Sequence, residues 1–149
     1  MSIILKTFQQ LTNTELYDIL QLRSEIFVVE QNCVYNDLDH LDKEGMHLFQ
    51  VEDDKIVGYV RILKPGSRFP YASIGRVVTH ADYRKKGIST LLMKEAIRYI
   101  QTEWKLNAIK ISAQKYLQHF YEGLGFRIVT DEYLEDGIPH YGMLLESVS

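Results

Sequence analysis

The loop Arg84-Lys85-Lys86-Gly87-Ile88-Ser89 is the stretch of this chain whose residue types and spacing speak most directly of chemistry. A run of cations leads to a glycine, and the residues after it carry a helical pattern. A helix N-terminus leaves several backbone N–H groups without partners and carries partial positive charge, so a phosphate placed there is held by several donors at once. Gly87 has no Cβ, which permits a positive φ or the close approach of an anion. On these six residues alone a solvated basic turn is an equal reading; the position after a strand and before a helix favours the anion site. The Walker pattern and the G-x-G-x-x-G fingerprint are absent, which argues against a nucleotide triphosphatase or a dinucleotide-dependent dehydrogenase.

Other polar groups carry weaker signals. Asp37, Asp39, His40, Asp42, Glu44 and His47 invite a metal reading that their spacing rejects. Counted from Asp37, the sixth and twelfth positions of a calcium loop would be Asp42 and Leu48, where glycine and glutamate are required. The cluster reads instead as a solvated acidic loop that draws in a cationic partner, and no metal is expected. Cys33, the single cysteine, excludes an intramolecular disulfide and reads as a small buried residue rather than a nucleophile. Arg23 falls on an apolar stripe. It either lays its methylenes on that stripe and pairs its head at the rim, or reaches a substrate.

The elements that must position these groups follow from periodicity. Residues 3–8 read as a strand, and Thr12 and Glu15 form a capping-box spacing that opens a helix over 13–28, with Leu16, Ile19, Leu20, Ile26 and Phe27 on one stripe. Residues 30–45 have no clear period and read as a loop with room for a short helix. Segments 47–52, 56–63 and 71–79 are β-rich and divided by Asp53-Asp54 and Pro65-Gly66, which predicts an antiparallel meander. A broad-faced helix over 89–103, carrying Leu92, Ala96, Tyr99 and Ile100, should pack on the sheet. A strand over 108–113 follows, then a helix through Leu117, Phe120, Tyr121 and Leu124 that ends at Gly125. Strands over 127–130 and 141–145 close the chain, joined by a segment containing Asp136-Gly137 and Pro139. The passage from Ile74 to Ala113 predicts a parallel pair with a crossover helix inside an otherwise antiparallel sheet, an α/β (α+β) class.

Composition sets the outer bounds. The 149 residues fit one domain, 1–149, and 46% hydrophobic with 25% charged residues is ordinary for a globular chain. A net charge of −3 and a pI near 5.9 argue against nucleic acid or an anionic membrane as partner and leave small molecules. The first residues lack a secretory signal, and no run approaches the roughly 18 apolar residues of a membrane span, so a cytoplasmic location is expected. A homodimer is compatible with this reading, although no motif encodes one.

The phosphate loop resembles the signature of the GNAT superfamily of N-acetyltransferases: Arg or Gln, two residues, Gly, one residue, then Gly or Ala. Here it runs Arg84-x-x-Gly87-x-Ser89, departing at Ser89, which reads as a helix cap instead. Phe120-Tyr121-Glu122-Gly123-Leu124-Gly125-Phe126 is similar to the family's second signature. The ElaA-like branch is matched by Leu22-Arg23-x-x-Ile26-Phe27-Val28-Val29-Glu30-Gln31, Arg76-Val77-Val78, Ala113-Gln114 and Glu135-Asp136-Gly137-Ile138-Pro139-His140. The resemblance implies a GNAT fold: a mixed, mostly antiparallel sheet flanked by helices and split between strands four and five. It implies acetyl-CoA as co-substrate, with Val77, Val78 and Thr79 lining the pantetheine arm and Arg84, Lys85, Lys86, Gly87, Ile88 and Ser89 holding the pyrophosphate.

Acetyl transfer to an amine needs a neutral amine, a polarised carbonyl and a proton for the departing thiolate. The resemblance places Tyr121 near the coenzyme sulfur. Its phenol, ordinarily near about 10, can protonate a thiolate whose conjugate acid is near about 8.5; a core tyrosine is the alternative. A backbone N–H at Val77 or Val78 would stabilise the oxyanion. Ser73, Ile74, Gly75 and Arg76 offer no base on strand four, which leaves His140, Glu30 and His47 as candidates in that order. Arg76 is a candidate for a substrate carboxylate, as is Arg23. The acceptor, a small-molecule or peptide amine, would meet residues 23–42 and 133–140. Two alternatives stand beside this enzyme: a coenzyme A binding module without turnover, and another acyl-CoA acyltransferase of the kind represented by acyl-homoserine lactone synthases.

Overall fold

The computed structural model describes residues 2–146. Strand β1 (Ser2–Thr7) leads into helix α1 (Asn13–Arg23), whose start is held by the expected capping box: Glu15 N–H donates to Thr12 Oγ1 at 3.0 Å, and Thr12 N–H to Glu15 Oε1 at 2.9 Å. The helix does not stop at Arg23 but widens into a π-helical stretch over Ser24–Glu30, which turns Glu30 and the following Gln31 toward the middle of the sheet.

Strands β2 (Met46–Glu52), β3 (Lys55–Leu63) and β4 (Ala72–Thr79) form the predicted meander, and Asp53 and Asp54 take the positive φ of its first tight turn. Helix α2 (Ile88–Thr102) crosses over to β5 (Ala108–Gln114), which pairs parallel to β4. After α3 (Gln118–Glu122) come β6 (Arg127–Ile128), β7 (Tyr133–Glu135) and β8 (Ile138–Glu146). The sheet order is β1-β2-β3-β4-β5-β8-β6, with β7 paired to β8.

The last hairpin departs from expectation. The segment taken as a connection is strand β7, a tight turn with positive φ at Asp136 and Gly137, and a β8 that starts three residues earlier, at Ile138 rather than Tyr141. Pro139 obscured it, because proline is poorly suited to a ladder. It is tolerated because it pairs only with Leu134 of β7, before β5 joins at His140.

Both faces of the sheet are covered. Leu48, Val60 and Ile62 face α2, where Leu92, Met93, Ala96 and Ile100 are fully buried, while Phe49 and Tyr59 face Ile19, Leu22 and Phe27 on the α1 side. Gly58 sets the depth of α2, since a Cβ there would lie 2.5 Å from Ile88 Cγ2 at the head of that helix. The phosphate loop is thus seated by a glycine two strands away in sequence.

The 31–45 loop is not the solvated acidic loop expected from composition. Asp37 and Asp42 are buried, and they neutralise arginines from three different elements. Arg23 of α1, with no exposed surface, reaches Asp37 Oδ2 at 2.8 Å and Asp42 Oδ1 at 2.7 Å. Arg61 of β3 bonds Asp39 and Asp42, and Arg76 of β4 bonds the Asp37 carbonyl at 3.0 Å. Burial by itself would raise the Asp42 carboxyl, but hydrogen bonds and charge from Arg23 and Arg61 outweigh it and hold the group below the ordinary range. Asp39 is lowered likewise by Arg61 and Arg76 against its own burial. His47 sits beneath this network, its Nε2–H donating to the Asp42 carbonyl and its Nδ1 accepting from the Tyr59 hydroxyl; burial lowers it, with Arg23 and Arg61 adding to that effect.

Removing one member of a buried ion network leaves the other charges uncompensated, so Asp42→Ala should cost about 3–5 kcal/mol in chemical unfolding. Asp39, Asp42 and His47 all bind protons less readily folded than unfolded, so each adds stability at high pH and loses it as pH falls. The melting temperature should be flat above about pH 7, fall as the pH drops below about 6.5 through His47, and fall again below about 4 through the carboxylates. His47→Gln should remove the upper of these two steps; a melting temperature that rises on acidification would contradict the network.

Candidate active site

Strands β4 and β5 pair only at Ala72 with Ile109 and Ser73 with Lys110, and then part. The cause lies in β4. Opposite the span from Tyr59 to Arg61 of β3, it runs from Gly75 to Val78, one residue longer, and Arg76 takes a φ of 52° within that bulge. A bulge bends its strand and increases local twist, which swings the second half of β4 away from β5. Arg76 and Val77 are left without a register partner on either neighbour.

Two cavities open on either side of this split, and Phe27, Gln31, Val77, Gln114, Leu117 and Tyr121 belong to the walls of both. The wider, about 420 Å³, runs along Val77, Val78 and Thr79 to Arg84, Lys85, Gly87, Ile88 and Ser89. Helix α2 is capped by Gly87 at a φ of 76°, with no side chain bonded to its free amides and no acid in its first turn. Lys85 is also left-handed, at a φ of 64°. A Cβ on Gly87 would meet nothing within 4 Å, so the loop is open on that side. Uncapped donors, an open approach and flanking cations suit a pyrophosphate.

Two details differ from the sequence reading. Ser89 is not the helix cap: it lies inside the first turn, its hydroxyl 2.6 Å from Thr79 Oγ1, tying the loop to β4. Lys86 does not line the cavity; its ammonium lies over the Tyr83 ring, 5.1 Å from the centroid.

The narrower cavity, about 90 Å³, lies among residues 27–35, the β4 bulge, β5 and the β7–β8 hairpin. His140 is on its wall, buried, with Nδ1 2.6 Å from the Ile138 carbonyl and Nε2 3.4 Å from Glu135 Oε2. Arg76 is there too, its guanidinium 6.0 Å from the Tyr35 ring centre and its Nε 2.8 Å from Asp37 Oδ1, close in charge but not aligned as a hydrogen bond. The other proposed polar groups are elsewhere. Glu30 stands on the wider cavity, ion-paired to Arg84, and is not on the wall of the narrower one. His47 is enclosed between Tyr59 and Asp42, on neither cavity wall. Arg23 is buried with its donors spent on Asp37 and Asp42, so it cannot hold a substrate. The Cys33 thiol lines the narrower cavity and donates to the Asp136 carbonyl at 3.3 Å.

Tyr121 joins the two spaces. It is buried between the edges of Phe120 and Phe126, at 5.0 and 6.1 Å between ring centres. Burial raises its phenol well above the ordinary range, with Tyr116 adding to the effect, so the proton stays on oxygen through neutral pH. The sequence reading gave no site role to Glu135, Ser112, Arg68 or Gln114, all on the narrower cavity. The alternation of β5 placed Ser112 and Gln114 on one face and could have paired them, and Glu135 stood at the head of the 135–140 motif; Arg68 had no such signal.

Among the described residues no helix is long and apolar enough to cross a membrane, and no group of three or more histidine, cysteine or acidic side chains is arranged to hold a metal.

Known proteins agree with this architecture. Residues 14–147 match the model of the acetyltransferase (GNAT) domain. Protein ElaA of Escherichia coli is 39% identical over 141 residues, which span 93% of this chain and 92% of that protein. The crystal structure of an acyl-CoA N-acyltransferase from Pseudomonas aeruginosa superposes with a TM-score of 0.91 at 39% identity, covering 97% of this chain and 99% of that one; E. coli ElaA does so at 0.90 and 36%. An aminoglycoside 6'-N-acetyltransferase complexed with coenzyme A shares the fold at a TM-score of 0.72 and 15% identity. With its bulged fourth strand, its split sheet and its uncapped phosphate loop, the chain belongs to the GNAT acetyltransferases, enzymes that transfer an acyl group from coenzyme A.

Proposed function

We propose that this protein transfers the acetyl group of acetyl-CoA to a primary amine of a small molecule or peptide, by direct attack in a ternary complex. The observation that carries the reading is the meeting of two cavities at Val77 and Tyr121, where β4 and β5 part. Coenzyme would enter along the wider cavity with its pyrophosphate on the amides of Ile88, Ser89 and Thr90. The amine would enter from the narrower one, whose size admits an unbranched aminoalkyl end more readily than a bulky one.

In this scheme the acceptor first loses a proton to the narrower cavity. The amine nitrogen then attacks the thioester carbon, and the N–H of Val77, a position without a register partner on either neighbouring strand, would meet the developing oxyanion. As the C–S bond breaks, the Tyr121 phenol gives its proton to the thiolate, and the phenolate recovers one from the nitrogen. The net products are amide, free thiol and the proton shed at the start.

A thiol-release assay with acetyl-CoA and an amine panel tests the whole reading. Turnover with at least one amine is expected, and tight coenzyme binding with none would leave a binding module. Gly87→Val forces a β-branched side chain into the left-handed region at the head of α2, and should weaken coenzyme A binding at least about tenfold by calorimetry. Unchanged affinity would remove the loop from the coenzyme site. Tyr121→Phe should lower kcat about 10²-fold while the coenzyme Kd stays within about twofold. Equal rates would return Tyr121 to the core.

A further inference from the structure

The wall of the narrower cavity holds a connected polar chain that sequence reasoning did not assemble. Arg68 Nη2 and Ser112 Oγ both reach Glu135 Oε1, and Tyr133 OH meets Ser112 Oγ. A carboxylate only accepts, so Ser112 spends its one proton on Glu135, and Tyr133 in turn donates to Ser112. Two donors therefore fix Oε1, which leaves Oε2 as the oxygen that faces His140 Nε2 at 3.4 Å.

The tautomer of His140 follows from its other nitrogen. Nδ1 lies 2.6 Å from the Ile138 carbonyl oxygen, which can only accept, so Nδ1 carries a proton in every state of the ring. The free lone pair is then on Nε2, and it points at the Glu135 carboxylate rather than into the cavity. Lone pair against carboxylate is repulsive, and a proton between them removes the repulsion. The Tyr133 ring, stacked on the imidazole at 6.0 Å, holds this orientation. Exposure separates the partners: the Glu135 side chain is 30% accessible and that of His140 only 7%.

We propose that Glu135 is the base that takes the proton from the acceptor amine at Oε2, and that His140 Nε2 receives it from behind. This rests on the acetyl-transfer reading above. An N–H bond of the acceptor ammonium breaks and its electron pair remains on nitrogen as the nucleophile. The proton bonds to Oε2 and passes to Nε2, giving an imidazolium held by the Ile138 carbonyl on one side and the restored carboxylate on the other. It returns to water by the same route. The restored carboxylate then lies between two cations, Arg68 and the imidazolium. Besides Arg68 and Tyr133, the titratable groups around the pair are Arg76, Asp136, Cys33, Tyr35 and Tyr121, and Arg76 is already matched by Asp37 and Asp39.

The test compares Glu135→Gln, Glu135→Asp and His140→Gln, each checked for coenzyme affinity and thermal melting. Glu135→Gln should lower kcat/KM about 10²-fold, His140→Gln only about tenfold, and Glu135→Asp should stay above Glu135→Gln because it keeps the charge. A His140→Gln loss as large as that of Glu135→Gln overturns the order of transfer, and equal loss in both Glu135 variants overturns the charge requirement. A second readout does not depend on turnover. At a pH where the ring is neutral, ¹⁵N NMR should find the His140 proton on Nδ1, and the Nε2 signal should move in Glu135→Gln, since the facing carboxylate is gone. An unmoved Nε2 signal, or a neutral ring with its proton on Nε2, overturns the pairing even if an amine is found. Absence of turnover in the unaltered protein, with the NMR difference present, would instead defeat the acetyl-transfer reading and keep the pair.

Discussion

Arginines 23, 61 and 76 come from a helix and two strands, and the side chains of the first two are almost wholly removed from water. A guanidinium cannot shed its charge, so each must be met by an acid or left at a cost of several kcal/mol. Asp37, Asp39 and Asp42 supply that charge from a loop with little regular structure of its own. These ion pairs therefore hold the loop beside the packing of Tyr35 on the α1-side core. Because Arg76 is at the β4 bulge, the same network ties the loop to the strand whose distortion opens the sheet. Helix α1, β3, the bulge and one wall of the narrower cavity become a single rigid assembly.

From that assembly the functional geometry follows. The bulge separates β4 from β5 while each keeps its outer partner, β3 and β8, so the opening does not fray the sheet. On one side Gly58 lets Ile88 settle onto β3, and this brings the uncapped start of α2 level with the opening. On the other, the β7–β8 hairpin lays Glu135 and His140 against Ser112 of β5. Tyr121 and Val77 stand where the two sides meet. The acetyl transfer proposed above would need a donor channel and an acceptor channel that converge on one carbonyl, and two cavities that meet at a single backbone distortion suit that need.

Much of this was legible in the residues. The capping box at Thr12 and Glu15, the meander, the crossover helix and the loop 84–89 depend on neighbours within a few positions, and each formed where the pattern put it. Arg23 was legible only in part: its place on an apolar stripe was readable, but the two aspartates that meet it lie 14 and 19 residues on, in a stretch without periodicity. The acids there looked solvated because composition reports charge and not whom the charge faces.

By itself, the sequence determined the order of elements as far as α3, the place of the loop 84–89 at the head of a helix, and the family, since these rest on local backbone preference and on short contiguous motifs. Tertiary structure alone decided which polar groups share a cavity. Arg68, Ser112, Glu135 and His140 are brought together from a loop and three strands, and the direction of each side chain is set by pairing register. In a strand a shift of one residue turns every side chain to the opposite face. The turn at Asp136 and Gly137 fixes that register, and so it places Glu135 beside the His140 imidazole, in the wall of the narrower cavity.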